Sequence, residues 1–71
     1  MLDKETRAEY ASSALNAYLE HKGEPDEAQE IGEQVIDLMT DLLHLCRSNG
    51  MKRRDILRIP SIVEMHLRSE K

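Results

Sequence analysis

Ala28, Ile31, Val35, Leu38, Leu42 and Leu45 recur at steps of three, four, three, four and three, and that rhythm constrains this stretch more than any other feature of the chain. A strand would send successive members to opposite faces, whereas a helix gathers all six into one seam. A second stripe, Ile36, Met39, Leu43 and Cys46, runs beside the first. Together they predict a helix over residues 25–48, about 36 Å long, with apolar surface on two adjacent sides. One seam satisfies one neighbour; two demand more cover.

The flanking segments predict the helices available to supply it. Asp3 is placed to cap a first helix over residues 4–22, in which Ala8, Ala11, Leu15 and Tyr18 recur at helical steps and Ala14 and Leu19 widen the stripe. Its alanines leave room for close approach by another helix. Gly23, Glu24 and Pro25 then form a short connection, with glycine just past one helix and proline just inside the next. Helices 1 and 2 are therefore expected to form a hairpin. A third helix over residues 52–69 carries Ile56, Leu57, Ile59, Ile62, Val63 and Leu67, and Pro60 predicts a kink or break within it. The fold class is all-α: a helical hairpin with a third, proline-kinked helix.

A chain of 71 residues holds one domain at most and buries only about 60% of the surface its unfolded form exposes. Disulfides, metals or oligomerisation usually support folds this small. Cys46 is the only cysteine, so no intrachain disulfide can form, and a small bundle completed by dimerisation is the simplest expectation. With no Phe or Trp and only Tyr10 and Tyr18, the core must come from aliphatic residues, which favours helices. Leu2, Asp3, Lys4 and Glu5 do not open an export signal, and no stretch reaches the roughly 20 apolar residues of a membrane span. With a free thiol, this predicts a cytoplasmic protein away from the membrane. The net charge of −4 hides an asymmetry: residues 1–24 sum to −2, residues 25–50 to −5 and residues 51–71 to +3.

Four groupings carry chemistry to be weighed. Glu30, Glu33, Asp37 and Asp41 lie along one side of the second helix, with His44 one turn after Asp41. Metal sites in helical bundles draw such ligands from several helices; with no second inward set, the stripe reads as a solvated polar face. Residues 42–58 read alternatively as a helix-turn-helix, with Ser48-Asn49-Gly50 as the turn and Lys52, Arg53, Arg54 and Arg58 where phosphates and base edges would be met. Cys46 lies on the second apolar stripe, where a thiol serves as a small hydrophobe, and His44, two residues away, faces a different side. His21 and His66 read as structural or solvent-facing, and Gly32, inside the second helix, predicts close approach by helix 1 or a neighbouring subunit.

The run from Ile36 to Cys46, with Gly50, Val63-Glu64-Met65-His66-Leu67 and Glu70, resembles a group of short uncharacterised helical proteins of bacteria, plasmids and phages. The resemblance implies two or three helices around a glycine turn and no activity. Leu67 stands where that group commonly has an aromatic residue, and Lys52-Arg53-Arg54 where it has acidic or neutral ones. The same region is similar to part of the all-α nucleotide pyrophosphohydrolases of the MazG kind, whose first metal-binding pair is imitated by Glu27-x-x-Glu30 or Glu30-x-x-Glu33. Gln34 stands where glutamate would complete a second pair with Asp37, so this likeness implies a truncated relative without catalysis.

The expectation is a non-enzymatic interaction protein without metal or cofactor, pairing with a second copy or another helical protein through Ile31, Val35, Leu38, Met39, Leu42, Leu43, Leu45 and Cys46. A small DNA-binding regulator using Lys52, Arg53, Arg54 and Arg58 is the alternative, and a truncated MazG-like relative the second.

Overall fold

The computed structural model describes residues 3–23 and 30–70. They form an all-α fold without strands: α1 spans Lys4–Lys22, α2 Ile31–Ser48 and α3 Arg53–Ser69. The expected connection at Glu24 and Pro25 and the expected start of the second helix lie outside the described residues. The chain divides into two compact units, Met1–Met39 and Thr40–Lys71, and the division falls inside α2.

In the first unit, local chemistry sets both ends of α1. An Asp3 carboxylate oxygen accepts a 2.7 Å hydrogen bond from the Thr6 backbone N–H, satisfying one of the donors a helix start leaves unpaired. That bond holds the Asp3 carboxyl below the usual carboxylate range, because it favours the charged form. At the other end Gly23, at φ 75°, donates its N–H to Glu20 O, a left-handed cap that glycine adopts without a Cβ clash. Leu15 is the buried side chain of α1, and Tyr18 and Leu19 are half-buried. The expected alanine stripe is not used, since Ala8, Ala11 and Ala14 are exposed. In the first half of α2, Gln34, Asp37, Leu38 and Met39 are half-buried.

In the second unit, α2 ends in a Schellman motif. Met51 N–H donates to Cys46 O and Gly50 N–H to Arg47 O, with Gly50 at φ 90°, the pairing that satisfies the last carbonyls of a helix. Ser48 Oγ and Asn49 Nδ2 donate to His44 O and Leu45 O. Lys52 then occupies the N-cap of α3 without a side-chain cap bond. Ile56 is buried and Ile59 half-buried. The helix runs through Pro60 without breaking. Ile56, Ile59 and Val63 recur at steps of three and four across the proline and keep one apolar side.

A Cβ built at Gly32 meets nothing within 4 Å, so the close approach by helix 1, one of the two expectations there, is not seen among the described residues. Gly32→Ala should therefore stabilise the chain by up to about 1 kcal/mol through helix propensity. Gly50→Ala should destabilise it by about 1–2 kcal/mol through the left-handed backbone. Urea midpoints at one fixed protein concentration check both. The low Asp3 pKa has a signed consequence, because a depressed carboxyl contributes stability above its unfolded pKa and loses it as pH falls through its folded pKa. Asp3→Asn should keep the cap and flatten this part of the acid-induced loss of α1 helicity, whereas Asp3→Ala should lower helicity at every pH, read by circular dichroism.

Candidate interaction surface

α2 is strongly amphipathic, yet it contributes no fully buried residue. Of the expected seam, Ile31 is 65% exposed, Val35 39%, Leu42 48% and Leu45 56%, and Leu38 is half-buried. The second stripe behaves differently, since Met39, Leu43 and Cys46 are half-buried while Ile36 is exposed. The two stripes that looked equivalent in the sequence are thus used unequally.

The second unit shows why. A groove of about 630 Å³ is lined by Thr40, Leu43, His44 and Arg47 from α2 and by Met51, Arg53, Ile56 and Leu57 from the turn and α3. At about 100° per residue, positions 40, 43, 44 and 47 lie on the side of α2 opposite to 42 and 45. The side of α2 toward α3 therefore carries Leu43, and Leu42 and Leu45 are left bare. α3 shows the same surplus, with Ile62, Val63, Met65 and Leu67 exposed although the helix is amphipathic. Sequence reasoning did not single out the groove, because Thr40, Arg47, Met51 and Leu57 become neighbours only once the Schellman turn has set the direction of α3.

The basic residues Lys52, Arg53, Arg54 and Arg58 are all exposed. Three of them occupy the N-cap and first two positions of α3, at the positive end of the helix dipole, where cations are unfavourable. Asp55 is the acidic residue of that first turn. Elsewhere on α3 a 2.6 Å pair joins Arg68 to Glu64 one turn back, both well exposed, worth only a few tenths of a kcal/mol.

Of the acidic stripe, Glu30, Glu33, Asp41 and His44 are exposed and Asp37 is half-buried. Among the described residues no three His, Cys, Asp or Glu side chains are grouped so as to hold a metal ion, and Glu27 lies outside them. His21 and His66 are exposed, and the Lys22 ammonium sits 5.1 Å from the Tyr18 ring centre. Among the described residues no helix is long and apolar enough to cross a membrane.

Compared with protein-family models, curated proteins and solved structures, the chain matches none.

Proposed function

We propose that the protein is a non-enzymatic helical protein that self-associates by pairing the α2 seam of two copies. The observation that carries this reading is the seam itself: Ile31, Val35, Leu42 and Leu45 are exposed on one continuous helix. A chain this small buries only about 60% of the surface its unfolded form exposes, so covering this seam with a second copy is the direct way to add to its core. The lone thiol Cys46 suits a reducing cytoplasm, the location that goes with this reading.

Two substitutions test the seam without touching a buried side chain. Leu42→Asp should remove dimers that the unmodified chain forms at micromolar concentration, and Met65→Asp, more exposed and on α3, should leave them intact. Sedimentation equilibrium reads both. An unmodified chain that stays monomeric, or a Leu42→Asp variant that still dimerises, would contradict the reading.

A second reading is favoured by the start of α3. Helix, turn and helix lie within one compact unit, and Lys52, Arg53 and Arg54 stand uncapped where the helix dipole disfavours them. Such a local conflict marks a place where an anion would relieve it, and a DNA phosphate backbone is the candidate. Replacing all three with glutamine should then weaken duplex binding and reduce its salt dependence. Absence of binding by the unmodified chain at about 50 mM salt, where phosphate contacts are strongest, would end that reading.

A further inference from the structure

We propose that the groove between α2 and α3 binds a small amphipathic carboxylate, an aliphatic or aromatic acid whose apolar body lies between the helices and whose anion meets Arg47 and Arg53. The groove lies on the side of α2 opposite Leu42 and Leu45, so this site is separate from the seam through which two copies pair. All eight residues that line it belong to the second unit, Thr40–Lys71. Leu43, Met51, Ile56 and Leu57 make the lining largely apolar. Ile56 is buried, but Met51 and Leu57 are 38% and 62% exposed, so the fold leaves apolar surface there for a ligand to cover. A volume of about 630 Å³ falls in the range of small-molecule sites, which are mostly apolar with a few polar groups that fix orientation. Eight lining residues are too few for a stable protein partner, which engages about 20–30 residues a side.

Charge selects the kind of molecule. Arg47 stands in the last turn of α2 and Arg53 is the first residue of α3, so the turn between them brings two guanidinium groups from different helices to one groove. His44 and Thr40 add hydrogen-bonding groups to the same lining. No Asp or Glu lines the groove, and among the described residues no carboxylate pairs with either guanidinium. In a chain of net charge −4 this is a local concentration of positive charge with apolar surface beside it. A guanidinium holds a carboxylate through paired N–H donors, and the apolar lining favours a hydrocarbon body. An inorganic anion would use only the first feature and a neutral hydrocarbon only the second.

Methyl-detected NMR of the unmodified protein, titrated at neutral pH with octanoate and separately with octanol, tests the assignment. Octanoate should shift the methyl groups of Leu43, Met51, Ile56 and Leu57, leave those of Ile31 and Val35 in place, and bind several-fold more tightly than octanol. Arg47→Gln should remove most of that difference by weakening octanoate alone. Arg47 is not among the residues of the DNA-binding reading, so this loss is separate from any loss of duplex binding. Leu57→Ser, at an exposed position, should weaken both ligands. Equal binding of octanoate and octanol, octanoate binding that survives Arg47→Gln unchanged, no shift at the four groove residues, or shifts that follow Ile31 and Val35 instead would overturn the proposal. Shifts of the four groove residues, and not of the seam, on dilution of the protein without ligand would give the groove to a second copy and overturn it equally.

Discussion

A helix with two apolar stripes in a chain of 71 residues poses a problem of coverage. Each stripe is kept out of water by a neighbour about as long as itself, and this chain has two further helices with which to do it. α1 contributes Leu15, Tyr18 and Leu19, and α3 contributes Ile56 and Ile59 as its better buried positions. The side of α2 carrying Met39, Leu43 and Cys46 is partly covered, and Ile31, Val35, Leu42 and Leu45 remain in contact with solvent. Leu15 and Ile56, the buried apolar residues, are 7% and 8% exposed, and no described side chain is more fully buried. A core that thin supplies little of the stability a folded domain needs to offset its conformational entropy.

The rest of the fold depends on how the ends of the helices manage without that core. Asp3, Gly23 and the Schellman turn at Gly50 fix three helix termini by hydrogen bonds among near neighbours, which require no tertiary packing. The start of α3 differs from these three, with a lysine at the cap, no side-chain cap bond and two arginines after it. The DNA-binding reading uses this site, filling it with a phosphate backbone.

Much of the fold was legible in the sequence. The bounds of α1, the end of α2 at Ser48, the turn at Gly50 and the extent of α3 all follow from caps and periodicity, because these signals act over three or four residues. What was not legible depends on contacts across the chain. Two stripes on α2 have similar composition, and nothing in their spacing tells which one lies toward α3. The alanines of α1 and Gly32 suggested close helix approach, but small residues permit an approach without producing one. Pro60 suggested a kink or break, and α3 continues across it without a break. Of the residues expected to pair, Ile31, Val35, Leu42 and Leu45 are exposed and Leu38, Met39, Leu43 and Cys46 half-buried, and the groove beside them was missed because it forms from a turn geometry rather than a motif.

The central claim is that the exposed seam of α2 makes the folded state depend on a second chain. Thermal unfolding of the unmodified protein over a hundredfold range of concentration, from about 2 to 200 µM, tests it most directly, because a fold completed by association has a Tm that rises with concentration. The account predicts a rise of several degrees with a single cooperative loss of helix. An unchanged Tm across that range would show that one chain folds by itself and would contradict the claim.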